Sequence, residues 1–181
     1  MRIYSIGHSN RTLEAFIDIL KAYRVEGIAD VRSWPSSRRF PHFNGESLDA
    51  QLKAEGIAYH WIHRLGGLRR DVRQDSPNNG LKAGPLRNYA DYMETEVFRQ
   101  GLEELLTRVE DERLAIMCAE ALVRHCHRRI LCDKLASLDI EVIHILDILT
   151  CERHRPTSFM KAEGDRLTYP APRLEEQLEL L

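Results

Sequence analysis

Short apolar segments alternate with amphipathic segments along most of this chain, and the alternation is the strongest constraint on its fold. Runs rich in Ile, Val, Leu and Ala predict buried strands, whereas apolar residues spaced three and four apart predict helices that cover a sheet. When strands and helices alternate in this way, the strands lie parallel and the helices pack on both faces. The sequence therefore predicts an α/β fold: a single three-layer domain with a mainly parallel five-stranded sheet.

The predicted strands are short, and polar residues follow most of them. They span residues 2–7, 28–32, 57–62, 114–118 and 141–146. Helices are predicted after Thr12, which is suited to cap a helix N-terminus, around Leu48 and Leu52, as one or two helices within 88–108, and over 125–138.

Two stretches of the chain lack periodicity. Residues 66–86 are rich in Gly, Pro, Asn and Arg, which predicts a long loop that is functional or mobile. Prolines interrupt the pattern beyond Asp147, so we interpret 151–181 as an irregular tail with a short helix near 173–180. We expect this tail to belong to the same domain as residues 1–150, because 181 residues suit one hydrophobic core.

Composition and charge exclude several classes of protein. The net charge of −2 indicates no overall preference for nucleic acid, and no apolar run is long enough to span a membrane. No export signal is recognisable, so we expect a cytoplasmic location and no membrane partner. In a reducing compartment the four cysteines are expected to be free thiols or metal ligands rather than disulfides.

The most distinctive motif is Cys118-Ala-Glu120, which is followed by Cys126-His127-Arg128. The motif lies between the fourth predicted strand and the next helix, so five chemically active side chains meet at one strand-to-helix turn. The N-terminus of a helix favours anions and lowers the pKa of nearby thiols. Packing alone does not require this combination, and we interpret the turn as part of a functional site.

Helical spacing predicts the directions of the residues in this motif. His127 falls within the apolar arc of the helix and is expected to face the sheet, whereas Cys126 is expected to point away from that arc. A core histidine bonded to a backbone carbonyl is the alternative for His127. Arg128 opposes the helix dipole in the first turn, which favours a contact with an anion or with Glu120 or Asp30.

Other polar residues also follow the strands, at the edge where open α/β sheets bind ligands. The residues predicted to take part in catalysis at this edge are Asp30, Cys118, Glu120 and His127. The residues predicted to bind an anion are His8, Ser9, Arg32, Arg38 and Arg128. A simple salt bridge between Asp30 and Arg32 or Arg128 is the alternative for those residues. Arg39 and Arg64 are expected to add positive potential at the same edge.

Aromatic residues are interleaved with arginines in the segment after the second strand. Trp34, Phe40 and Phe43 surround Arg38 and Arg39, a composition that is able to stack on bases and to bind phosphate. The expected partner is therefore a small anionic or nucleotide-like ligand, with a nucleic acid as the second candidate.

Several segments, in order along residues 1–146, together resemble the domain-of-unknown-function family 488. They are Met1-Arg-Ile-Tyr-Ser-Ile-Gly-His8-Ser9, Asp30-Val-Arg32, Gly56-Ile-Ala-Tyr59, Leu65-Gly-Gly67 and the cysteine motif. The resemblance implies a compact α/β fold with a conserved pocket, and it points to Arg128 rather than Arg124 as the important arginine. It implies no particular reaction.

Different classes of function remain open on the sequence alone. An enzyme without a cofactor or metal, either a hydrolase or a transferase acting on a phosphate-bearing substrate, is favoured over a non-catalytic ligand- or partner-binding module. The two differ in one structural respect: catalysis requires a carboxylate or thiol with free access beside the arginines, whereas a binding module ties such groups up in internal salt bridges.

Two further alternatives depend on the cysteines. A zinc site from His8, Cys118, Cys126 and His127 is disfavoured because the last two residues are expected on different sides of the helix. A phosphatase loop running from Cys118 to Arg124 is disfavoured because it lacks glycine and contains a carboxylate that repels phosphate.

Overall fold

Six strands form the central sheet in the computed structural model, which describes residues 1–171. They are β1 (Arg2–Gly7), β2 (Gly27–Asp30), β3 (Ala58–Trp61), β4 (Leu114–Cys118), β5 (Glu141–Ile145) and β6 (Cys151–Arg153). Their order across the sheet is β3-β2-β4-β1-β5-β6. The first five are parallel, and β6 pairs antiparallel with β5. The predicted mainly parallel α/β sheet is confirmed, with a sixth strand added at one edge.

Five α-helices cover the two faces of this sheet within the described residues. They are α1 (Leu13–Ala22), α2 (Gly45–Ala54), α3 (Pro85–Tyr92), α4 (Glu96–Asp111) and α5 (Arg128–Ser137). One buried cluster joins α1 and α2 to the sheet through residues such as Phe16 and Leu48. A second cluster joins α3, α4 and α5 through residues such as Phe98 and Leu131. Two separate apolar clusters on opposite faces give the predicted three layers.

Strand β2 is shorter than the predicted strand 28–32, and the reason lies in its last residues. The backbone N–H of Arg32 donates to the Asp30 carboxylate at 3.0 Å, which replaces a bond to a neighbouring strand. The chain therefore leaves the sheet immediately after the buried carboxylate. Strand β3 is likewise shorter than the predicted 57–62, and β4 has its predicted bounds.

The prediction of an irregular tail after residue 150 is wrong for part of that segment. It contains β6 and a hairpin of β7 (Lys161–Glu163) and β8 (Arg166–Thr168), which turns at Gly164. Each of these strands has three residues, too few to show a recognisable period of two. The helix predicted near 173–180 lies outside the described residues.

The long loop predicted at 66–86 contains no strand or α-helix before α3 begins at Pro85. It is nevertheless tied to α3, because Ser76 and Asn78 both donate to the Asp91 carboxylate, at 2.6 and 2.7 Å. Within residues 1–171, no helix combines the length and the hydrophobicity that a membrane span requires.

Candidate functional site

The carboxyl ends of β1, β2 and β4 lie side by side because these parallel strands are neighbours in the sheet. A cavity of about 980 Å³ opens at this edge. Its lining comes from the ends of these three strands, from the loop between β2 and α2, from Gly67 and Leu68, from the first turn of α3 and from the turn before α5. The sheet edge at which polar residues are predicted to collect therefore contains a cavity.

Asp30 and Arg32 form a buried ion pair beneath the cavity wall. The Asp30 side chain has 0% exposure, and it accepts bonds from Arg32 Nε at 2.9 Å and from the Tyr59 hydroxyl at 2.7 Å. The pairing raises the pKa of Arg32 against the lowering effect of burial. The salt-bridge alternative stated for Asp30 thus describes its observed contacts. Both carboxylate oxygens are occupied, and Arg32 reaches the cavity lining with its charge already balanced.

His8 lines the cavity as a neutral side chain. Its ring stacks on Phe43 with centroids 4.1 Å apart, and its Nδ1 lies 3.0 Å from the Ser9 carbonyl oxygen. Burial, followed by the nearby Arg32 charge, lowers the pKa of His8 to about 4. A neutral ring adds no positive charge for an anion. Phe43 is buried beneath it and is closed to base stacking.

Arg128 is buried in the first turn of α5, with 1% exposure. It donates to Ser5 Oγ at 3.0 Å, to Cys126 Sγ at 3.4 Å and to the backbone carbonyl of Glu120. Within residues 1–171 no carboxylate pairs with it, so the expected partner acids, Glu120 and Asp30, do not neutralise it. The atom that lies beside the Arg128 guanidinium in place of a carboxylate is Cys126 Sγ.

Cys118 and Cys126 lie together at the cavity floor, and their surroundings shift their pKa values in opposite directions. A hydrogen bond from Cys118 lowers the pKa of Cys126 against the effect of burial, and His127 and Arg128 lower it further. The same bond, together with burial, raises the pKa of Cys118. Cys126 is therefore the more acidic thiol of the pair, a difference that the sequence motif alone does not reveal.

His127 stands between the two sulfurs and the sheet. Its Nε2 lies 2.9 Å from the Val31 carbonyl oxygen, which only accepts, so this nitrogen carries a proton. Its Nδ1 faces Cys126 Sγ at 3.6 Å and Cys118 Sγ at 4.0 Å. The carbonyl contact stated as the alternative for His127 is present, and the other ring nitrogen faces the thiols.

His127 faces the top edge of the sheet as predicted, whereas the predicted direction of Cys126 is wrong, because its side chain is buried beside that ring. Helix α5 begins at Arg128 rather than at residue 125, because Val123–His125 forms a 3-10 turn and Cys126 is extended. The rotation of 100° per residue therefore does not apply between these two residues, and their side chains converge. The objection to joint metal ligation, which rested on that rotation, disappears.

Gly67, in the Gly66-Gly67 pair of the long loop, lies directly against the His127 ring. A Cβ atom at Gly67 would lie 2.2 Å from His127 Nδ1, so only glycine allows the loop to pass this close to the ring. Gly67 and Leu68 both line the cavity. One end of the predicted functional loop therefore forms part of the cavity wall.

Glu120 and Ser9 are the predicted polar residues at the exposed part of the cavity. The Glu120 carboxylate makes no hydrogen bond or ion pair with any residue in 1–171, although its backbone carbonyl binds Arg128. Ser9 has a φ of 51°, a left-handed conformation that non-glycine residues adopt at a cost in energy. Both side chains are accessible from the cavity.

The arginines predicted to concentrate positive charge here separate in the structure. Arg39 lines the cavity, whereas its neighbour Arg38 is exposed outside the lining. Arg64 is directed to Glu104 on α4, at 3.6 Å. Of the aromatic residues, Trp34 lines the cavity with 70% of its surface exposed, and Phe40 lies beneath Arg39. Cys126, Arg39 and Trp34 thus line the cavity although they are not among the residues predicted to take part in catalysis or to bind the anion.

Comparison with protein families gives one match: residues 12–135 match the family described as "Domain of unknown function DUF488". The matched region begins at the cap of α1 and ends within α5, so it contains β2, β4 and the whole cysteine motif. Comparisons with curated proteins and with solved structures give no match.

Proposed function

The chain belongs to the DUF488 family, a group defined by a domain of unknown function, and from that premise we propose that the edge cavity is an active site for a small anionic, nucleotide-like substrate. One observation carries the proposal: a carboxylate with free access lines the cavity beside a cation that has no carboxylate partner within residues 1–171. The carboxylate is that of Glu120 and the cation is Arg39, and the buried sulfurs of Cys118 and Cys126 line the floor of the same cavity.

The rim of the cavity is suited to bind the two parts of a nucleotide. Arg39 offers a planar guanidinium that forms paired bonds to phosphate oxygens. Trp34 offers an exposed indole, and base–aromatic stacking tolerates every base. Both residues lie on the loop between β2 and α2, so a ligand that stacks on one lies near the other.

The floor and wall of the cavity supply the groups for a hydrolase or transferase. Glu120 takes the proton from a water molecule or an acceptor hydroxyl that attacks the substrate, because its carboxylate has no internal partner within the described residues. Asp30 is less suited to that task, because both of its oxygens are bonded to Arg32 and Tyr59. Its contacts suit a role in positioning Arg32.

A non-catalytic binding module is the second candidate, and the Asp30–Arg32 pair favours it. An internal salt bridge that removes the charge of an arginine in the cavity wall is the feature expected of a site that binds without turnover. The two candidates predict the same ligand and differ in the role of Glu120.

Binding is tested by calorimetric titration with nucleoside mono-, di- and triphosphates and with inorganic phosphate, at low and high ionic strength. We expect Arg39→Gln to weaken nucleotide binding by about tenfold or more, since it removes charge-assisted bonds. Arg38→Gln, the matched control, removes the same charge from the neighbouring position outside the cavity and is expected to change affinity less than about twofold. Equal effects of the two variants, or no binding at low salt, would contradict the proposal.

Turnover is tested on the same compounds by phosphate release and by chromatography of the products. Glu120→Gln should abolish product formation and leave the dissociation constant within about threefold, because an amide keeps the shape but cannot accept the proton. If nucleotides bind and no product forms with the wild-type protein, the site is the binding module.

A further inference from the structure

We propose that Cys118, Cys126 and His127 bind a zinc ion at the floor of the cavity, with the fourth coordination position open to the cavity. The inference goes beyond the proposed function, because it depends on three protein side chains and on no property of the substrate. Cys₂His with an open position is a ligand set that catalytic zinc uses.

The three ligand atoms already have nearly the spacing of a zinc site. All of them lie within 4.8 Å of one another, and His127 Nδ1 is 3.6 Å from Cys126 Sγ and 4.0 Å from Cys118 Sγ. In a tetrahedral site with Zn–S of about 2.3 Å and Zn–N of about 2.0 Å, a sulfur and a nitrogen ligand lie about 3.5 Å apart. A shift of about half an ångström or less brings His127 Nδ1 to this separation from each sulfur.

The contacts of the His127 ring leave Nδ1 as the nitrogen that is able to bind zinc. Because His127 Nε2 donates its proton to the Val31 carbonyl oxygen at 2.9 Å, the neutral ring has its lone pair on Nδ1, towards the sulfurs. Metal-binding histidines commonly use their second ring nitrogen in this way, which fixes both the tautomer and the orientation. Gly67, which packs against the ring, limits its rotation further.

Arg128 provides the charge environment that a pair of metal-bound thiolates needs. Its Nε and its backbone N–H both donate to Cys126 Sγ, at 3.4 and 3.5 Å. A buried arginine without a carboxylate partner is costly unless a negative group faces it. A sulfur that remains an anion in the metal complex supplies that group and retains lone pairs for both donors.

The cavity provides the entry path and the open position. All three residues line it, and within residues 1–171 no fourth side chain joins their group. His8 is not part of the group, because its ring nitrogens face the Ser9 carbonyl and Arg32. A zinc ion here would polarise a substrate oxygen or bind the attacking water.

A second group of possible ligands, Cys132, His144 and His154, is a weaker candidate. His144 Nε2 and His154 Nδ1 already face each other at 2.9 Å, and His154 Nε2 faces Asp133 at 2.9 Å. Cys132 is completely buried. This group therefore serves as the internal comparison for the experiment.

The experiment measures zinc bound to the full chain after reduction, removal of metal by a chelator, and reloading without any nucleotide. We expect about one zinc per chain in the wild-type protein, and visible absorption bands of a thiolate-ligated tetrahedral ion when cobalt replaces zinc. Cys118→Ser and His127→Asn should weaken zinc binding by about tenfold or more, whereas Cys132→Ser, the matched control, should leave it unchanged. Loss of zinc only in Cys132→Ser, or no zinc in the wild-type protein, would overturn the proposal.

A second measurement avoids variants that fail to fold. Reduced wild-type protein is alkylated with and without zinc, and the labelled cysteines are mapped by mass spectrometry. Zinc should protect Cys118 and Cys126, while the exposed Cys151 is labelled equally in both samples. Labelling of Cys118 and Cys126 that is the same with and without zinc would contradict the proposal. A Cys118–Cys126 disulfide that forms in air equally well with and without zinc would also contradict it. Since no nucleotide is used, either outcome is independent of the proposed function.

Discussion

At the scale of single residues, Asp30 shows how the edge of the sheet is held together. A buried carboxylate in a central strand is tolerated here because Arg32 and Tyr59 saturate its oxygens. The same contacts fix the backbone turn that carries the chain from β2 into the cavity wall.

Removal of Arg32, the charged partner of Asp30, should therefore destabilise the protein. We expect Arg32→Met to lower the free energy of unfolding by about 3–5 kcal/mol, since it leaves a buried charge uncompensated. Urea denaturation measures the change, and Arg38→Met is the control, expected within about 0.5 kcal/mol of the wild type because its side chain is exposed. A loss below about 1 kcal/mol for Arg32→Met would show that the ion pair does not hold this edge.

Two residues of the site have positions that periodicity does not predict, each for its own reason. The sequence places Cys126 in a helix and in the wrong direction because the 3-10 turn before α5 leaves no periodic pattern. Arg39 and Arg38 are equivalent in sequence, and only the path of the loop places one of them in the cavity. The interleaved aromatic pattern did indicate the correct loop through Trp34.

At the scale of elements, local sequence determines most helix and strand positions. Helix α1 begins where Thr12 predicts, because its hydroxyl accepts the Ala15 N–H at 3.2 Å. Strand β4 has its predicted bounds because a run of five apolar residues is buried on both faces. Short antiparallel elements such as β6 were missed because pairing with β5, rather than their own sequence, makes them strands.

The cap of α1 gives a second stability prediction. Thr12→Ala removes the hydroxyl that accepts the Ala15 N–H and should lower the free energy of unfolding by about 1 kcal/mol. Thr107→Ala is the matched control, because this exposed residue lies inside α4, where alanine is the better helix former. Thermal denaturation compares them, and an equal loss of stability in both variants would contradict a specific role for the cap.

At the scale of the whole molecule, buried histidines link stability to pH. Burial, together with the His154 and Arg128 charges, lowers the pKa of His144 to about 4, and the facing groups on α5 are Asp133, Cys132 and Arg128. Its Nδ1 has no hydrogen-bond partner among the described residues. In the unfolded chain the same ring titrates near its ordinary pKa of about 6.5.

The sign of the effect follows from proton binding. Between pH about 6.5 and about 4 the unfolded chain binds more protons than the folded one, so stability is complete above that window and is lost as the pH falls through it. The contribution of His144 is on the order of 3 kcal/mol at most. His8, whose pKa is also lowered to about 4, acts in the same direction.

Urea denaturation from pH 7 to pH 4 tests this linkage. We expect the free energy of unfolding to fall with pH, and His144→Gln to make that fall smaller because one titrating group is removed. His63→Gln, at an exposed position, is the control and should retain the wild-type slope. A slope unchanged by His144→Gln would contradict the assignment of the pH dependence to this ring.

The sequence by itself determined the parallel α/β architecture, the five principal strands and the edge at which polar groups collect. Hydrophobic periodicity and strand direction are local properties, and parallel strands bring their carboxyl ends to one edge. Only the tertiary structure decided which groups at that edge are engaged and which are free. Asp30 faces Arg32 and Tyr59, and Glu120 remains open to the cavity. Contacts across strands, turns and loops set these partners, and no spacing along the chain encodes them.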